Sequence, residues 1–246
     1  MTNARDYLTQ LRINISSVMD WSQTFSAMRH RNFRLFFWGQ LVSVIGIWMQ
    51  STAQQWLVYR ITGSQTSLGL VTFISFLPVL ILSLFMGVVV DRLPRRRILV
   101  FTQSWFMIGA LILAALTWLD IVQYWHILVL SFALGFGNAL DMPARQAFGT
   151  EMVDEDKNDI LNAISLNSTL FNVARIIGPS IAGLVVAGLR EAPAFAINGI
   201  SYLAVIVALL LMKLSPTTRE PSSKNTLGQM QEGFQYIGAE KNILWL

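Results

Sequence analysis

The sequence predicts an all-α membrane protein with six transmembrane helices. Three observations carry this reading: the composition, six long apolar runs, and an uneven distribution of Lys and Arg. Of the 246 residues, 54% are hydrophobic and only 13% are charged, whereas a soluble domain carries about a quarter charged residues. Fifteen Phe and eight Trp fit lipid as the solvent. The net charge of +4 does not mark a nucleic-acid surface, because the basic residues lie between apolar runs and not on one domain face. There is no Cys, so disulfides and thiolate metal sites are excluded. His30 and His126 are the only histidines, which argues against a His-rich metal or haem site. Neither a metal nor a cofactor is expected.

The chain opens on a polar stretch, residues 1–34, that mixes Arg5, Asp6, Arg12, Asp20, Arg29 and Arg31 without a short apolar core before a small-residue cleavage site. It reads as a tail ahead of the first span. A spanning helix needs about 20 mostly apolar residues. The runs Leu35–Tyr59, Leu68–Val90, Ile98–Leu119, Tyr124–Leu140, Asn162–Gly188 and Ala194–Met212 meet or approach this. The fourth is the shortest, and its end extends past Asp141 if the helix continues. Backbone groups in lipid must be satisfied internally, so continuous runs of this length are helices, not barrel strands.

Orientation follows from Lys and Arg. Fifteen of these residues fall in the tail, the second and fourth connections and the stretch after the sixth run; two, Arg60 and Arg190, fall on the other side, and Arg175 lies inside a run. This places the N-terminus in the cytoplasm. The acidic run from Glu151 to Asp159 suits the start of the fifth helix, where the dipole favours negative charge.

Residues 35–212 thus form the bundle, and 213–246 have a different character. Pro216, Pro221, Ser222 and Ser223 mark a linker. Leu227, Met230, Phe234 and Ile237 recur at helical spacing, which predicts a short amphipathic helix at the membrane surface. The apolar Ile243–Leu246 run reads as the opening of a seventh span.

Polar residues inside spans are costly and face the bundle interior. Gln40, Ser43, Gln50 and Gln54 share one face of the first helix; Ser131 and Asn138 lie two turns apart on the fourth; Ser165, Ser168, Asn172 and Arg175 form a stripe on the fifth. Together these predict the lining of a water-accessible cavity, although interhelical hydrogen bonding uses the same residue types. Arg175 sits near the middle of its helix, and the central parts of the spans hold no Asp or Glu. Its partner is therefore a missing segment, the backbone or an anionic ligand.

Two motifs name a family. The segment from Gly87 through Asp91, Arg92, Arg95 and Arg96 to Arg97 closes the second helix and turns into the third. Gly87 permits close helix approach, and Asp91 can accept from a helix N-terminus or an arginine. This segment resembles the conformational-lock signature of the major facilitator superfamily, with Pro94 where the family has Gly. The second motif, Arg175, Gly178, Pro179, Ala182 and Gly183, is similar to the antiporter motif of exporters in that superfamily, with Ala182 for the first of the paired glycines and Ala174 for an upstream one. Small residues there permit tight packing, and Pro179 bends the helix. Further stretches, including Asn32–Phe37, Trp56–Tyr59 and Asp141–Gln146, resemble the efflux-permease branch that includes the enterobactin exporter.

The resemblance implies the N-terminal half of a major facilitator fold, two inverted three-helix repeats, with a C-terminal six-helix half missing from this chain. It implies proton-coupled efflux of small amphipathic molecules of drug or siderophore type by alternating access, in a bacterial inner (plasma) membrane. A nutrient importer of the same fold and a non-transporting binding or sensor protein are the alternatives. Expected partners are membrane lipid, a small-molecule substrate and protons, but no nucleic acid. No serine-hydrolase elbow, zinc-protease pair or paired intramembrane aspartates points to an enzyme.

Overall fold

The computed structural model describes residues 25–152 and 157–213. Most of the polar tail, the linker, the surface helix expected around Leu227–Ile237 and the run ending at Leu246 lie outside the described residues. Within them the chain forms six long helices: α1 (Arg31–Thr62), α2 (Gln65–Arg92), α3 (Arg95–Trp118), α4 (Tyr124–Glu151), α5 (Lys157–Leu189) and α6 (Ala192–Leu211), preceded by a single tight turn at Ser26–Arg29. Five of them, α2 to α6, are long and apolar enough to cross a membrane. α1 has the length, at 32 residues. Its glutamines and serines lower its hydropathy.

The connections are short and chemically simple. α1 ends at Gly63, whose φ of 62° is left-handed and whose N–H donates to the Tyr59 carbonyl; a glycine takes that conformation without strain. α4 is capped by His126, whose Nδ1 accepts from the Gln123 N–H at 3.0 Å. This fixes one of the two histidines in a structural role. The other, His30, pairs with Asp159 of α5 at 2.8 Å. Beside it, the Ala27 N–H donates to Asn162 Oδ1 at 3.1 Å, so the turn before α1 is strapped across the start of α5.

The principal packing pairs are α2 on α4, α1 on α5, α1 on α6, α3 on α4 and α3 on α6. Exchanging α1–α3 for α4–α6 in order maps this set onto itself, which fits the two-repeat architecture that the family resemblance implies. Equivalent helices share devices. α2 and α5 each contain a proline, Pro78 and Pro179. Each also packs on its partner through a glycine: a Cβ on Gly135 of α4 would lie 2.5 Å from the Ser75 carbonyl and 2.8 Å from Pro78. Lipid supplies no hydrophobic drive between helices, so close backbone approach of this kind carries the association.

α4 runs to Glu151, well past Leu140. The extension is amphipathic, with Ala144 and Phe148 buried, and Phe148 meets Phe36 of α1 edge-on at 5.8 Å. As a result Asp141 lies inside the helix rather than at its end. Asp141 is buried there, 5% exposed.

Candidate functional site

The turn from α2 to α3 is built from its arginines. Arg95 donates to the Ala147 carbonyl at 2.8 Å, and Arg96 donates to the Leu210 carbonyl at 2.8 Å and to Met212 at 3.4 Å. Each guanidinium thus satisfies carbonyls near the C-terminal end of a neighbouring helix, α4 or α6, where the dipole also favours a cation. Asp91 lies 3.8 Å from Arg95, and its side chain is 75% exposed. Arg92 is exposed beside it. A Cβ on Gly87 would meet nothing within 4 Å. The close helix approach expected at Gly87 is therefore not made among the described residues, and the Gly87–Asp91 face is open.

The second motif forms the α1–α5 seam. Ala174, Gly178 and Ala182 are all buried, one turn apart. A Cβ on Gly178 would lie 2.5 Å from Trp48 Cβ and 2.9 Å from the Ile45 carbonyl. Pro179 is half-buried, and Gly183 stands outside the seam, with nothing within 4 Å of its Cβ position. Arg175 is exposed, and its guanidinium lies over the Trp48 ring at 5.4 Å from the centroid.

The polar stripe of α1 divides along its length. Gln40 and Ser43 are fully buried inside the bundle, with Gln40 Nε2 and Oε1 and Ser43 Oγ lacking a hydrogen-bond partner. Gln50 and Gln54 line a cavity of about 260 Å³ between α1, α2 and α6, together with Ser51, Thr72, Ser75 and Asn198. Gln50 accepts from Asn198 Nδ2 at 2.7 Å, and Gln54 donates to Ser131 Oγ of α4 at 3.2 Å. Asn138, Ser168 and Asn172 are exposed on α4 and α5 and do not line this cavity. Its walls offer amides and hydroxyls without a formal charge, a set that binds by hydrogen bonding.

The arginine-bearing α2–α3 turn, the Gly-Pro seam and the repeat-symmetric packing now stand together, and a family model for transmembrane secretion effectors matches residues 22–245. The chain belongs to this family of major facilitator superfamily transporters. Among its relatives, the staphyloferrin A transporter of Staphylococcus aureus is 29% identical over 72% of this chain and 45% of its own length. Macrolide efflux protein A of Streptococcus pyogenes is 23% identical over 89% of this chain and 55% of its own length. The multidrug efflux pump Tap of Mycolicibacterium fortuitum is 26% identical over 82% of this chain and 51% of its own length. The chain spans about half the length of the curated relatives it matches.

This family member contains two ion-pair sites that sequence reasoning passed over. Asp141 Oδ1 accepts from Thr102 Oγ1 at 2.6 Å and Gln103 Nε2 at 2.9 Å, while Oδ2 accepts from Arg145 Nη2 at 2.6 Å and Nε at 2.8 Å. The i,i+4 spacing of Asp141 and Arg145 was the available signal. Glu191, 1% exposed, accepts from Arg60 Nε at 2.8 Å and Nη2 at 3.1 Å. Arg60 lies in the last turn of α1 and Glu191 precedes α6, and no spacing in the sequence joins them.

Proposed function

We propose that this sequence supplies the first half of an efflux transporter that exports small amphipathic molecules by alternating access, driven by protons. The observation that carries it is the exposed stripe Ser165, Ser168, Asn172 and Arg175 on α5. Arg175 lies near the middle of the 31-residue candidate span Asp159–Leu189, roughly 20 Å from either end at 1.5 Å per residue. A guanidinium facing acyl chains at that depth is untenable, so the stripe faces water or further protein. The uncovered side of the half is then one wall of a central cavity. Two of the relatives, a macrolide efflux protein and a multidrug efflux pump, support an export direction.

In this reading residues 1–34 are a cytoplasmic tail, 35–212 the six-span bundle and 213–246 a cytoplasmic linker leading into further spans. α1 crosses with the others because it packs along both α5 and α6. The distribution of Lys and Arg supports an N-terminus inside, and the bacterial relatives support a bacterial plasma membrane. The open Gly87–Asp91 face then lies at the cytoplasmic side, where it contacts the rest of the transporter.

The test uses the full-length protein in inverted vesicles, with a panel of drug-like and siderophore-like compounds and an imposed pH gradient. Gradient-dependent accumulation that falls in Asp91→Asn is the expected result. Transport that ignores the gradient, or that is indifferent to Asp91→Asn, would defeat the proposal.

A further inference from the structure

Every carboxylate whose side chain is described already has an arginine or histidine partner. Asp91 has Arg95, Asp120 has Arg190, Asp141 has Arg145, Asp159 has His30 and Glu191 has Arg60. Arg175 has no carboxylate among the described residues and sits at mid-span. Its remaining neighbours are chemically distinctive. The Trp48 indole covers one face of the guanidinium, leaving its edge donors open. Asn172 and Ser168 are exposed on the same side of α5, three and seven residues earlier. Ser168 donates its hydroxyl proton to the Ile164 carbonyl at 2.9 Å, so its free lone pairs accept.

Trp48 is held in place by the seam beneath it. Gly178 leaves room for Trp48 Cβ at a distance that no side chain there would allow. The Gly-Pro segment therefore seats an aromatic ring under a cation. Cation–π attraction offsets only part of the desolvation of a mid-membrane guanidinium. An anion at the open edge completes it, and a planar carboxylate matches that edge with two parallel hydrogen bonds.

We infer that Arg175, stacked on Trp48 on the α5 face that also carries Asn172 and Ser168, is the anion-recognising part of the substrate site, selecting compounds that carry a carboxylate. This rests on the reading of the chain as half of an efflux transporter. A simple salt bridge to another part of the protein would need the arginine alone. The indole under the guanidinium and the amide and hydroxyl farther along the same face offer a ligand further contacts.

Two dyes with the same xanthene frame and opposite charge provide the test: carboxyfluorescein, an acid, and rhodamine 123, a cation. Binding to the purified full-length protein is followed by fluorescence anisotropy. Wild type is expected to prefer carboxyfluorescein. Arg175→Gln should weaken that dye at least tenfold without weakening rhodamine 123, and Arg175→Lys should recover part of the loss. Trp48→Phe should weaken it by a smaller factor, and it serves as the second variant if Arg175→Gln elutes as aggregate. Equal losses for both dyes would assign the counter-ion of Arg175 to a protein side chain and overturn the inference, as would unchanged binding or a wild type without the preference. If the efflux reading alone is wrong, the dye preference persists while vesicles fail to move either dye.

Discussion

Gly178 and Gly183 lie in one helix and one sequence motif, yet their surroundings predict opposite responses to the same methyl group. At Gly178 a Cβ would stand 2.5 Å from Trp48 Cβ, 2.9 Å from the Ile45 carbonyl oxygen and 3.1 Å from the Met49 nitrogen. Two of these three atoms belong to the α1 backbone and have no rotamer to escape into. Ordinary contact begins near 3.4 Å, so α1 and α5 must part by about 1 Å at the crossing, and overpacking of this kind costs about 1–3 kcal/mol. At Gly183 nothing lies within 4 Å. There, Ala replaces Gly in a helix interior and is expected to add about 0.5–1 kcal/mol of stability. The assay is thermal unfolding of the two purified variants, Gly178→Ala and Gly183→Ala, beside wild type. A midpoint about 2–10 °C lower for the first and unchanged or higher for the second is expected. A neutral Gly178→Ala would refute the claim that this glycine sets the helix separation.

The buried network at Asp141 makes a second prediction. Asp141→Asn leaves Arg145 without its counter-ion inside the bundle and should cost about 3–5 kcal/mol, while the double replacement Asp141→Asn with Arg145→Gln should recover much of it; the thermal midpoints of the three variants decide. Arg96→Ala removes the donor to the Leu210 and Met212 carbonyls and should loosen the end of α6 by roughly 0.3–1 kcal/mol, seen as faster amide exchange at Leu210 and Leu211 with little change elsewhere.

The helices were legible because lipid imposes a length and an apolar composition on any segment that crosses it, and Leu68–Val90 or Ala194–Met212 satisfy both visibly. The α4 extension past Asp141 was legible only as an open possibility, and its length was not, because beyond Leu140 its buried residues, Ala144 and Phe148, are spaced among charges. The stripe Gln40, Ser43, Gln50 and Gln54 was correctly placed on one face of α1, but a face does not reveal its neighbours. The bundle closes over Gln40 and Ser43, and a cavity lies beside Gln50 and Gln54. Asn198, which binds Gln50 from α6, carried no signal on its own, since a lone amide in an apolar run looks the same whether it packs or binds. Small residues were read as contact sites throughout the two motifs. That described Ala174, Gly178 and Ala182, whereas Gly87 and Gly183 touch nothing described, because the letter G records the absence of a side chain and not what fills the space.

The ion pairs at the two ends of the bundle bear on how such a half moves. At one end Arg60 grips Glu191, tying α1 to the turn before α6, and Arg190 meets Asp120 at 3.0 Å, tying that turn to the one before α4. At the other end Arg95 and Arg96 fasten α3 to the tails of α4 and α6, and Asn32 holds the backbone of Lys213 at 2.8 and 3.2 Å. Bending the bundle internally would break several of these charge-assisted bonds at once, whereas tilting it whole breaks none. The stitching makes the six helices a stiff lever, and in the proposed transporter the compliance for a change of access would come from the surfaces it rocks against.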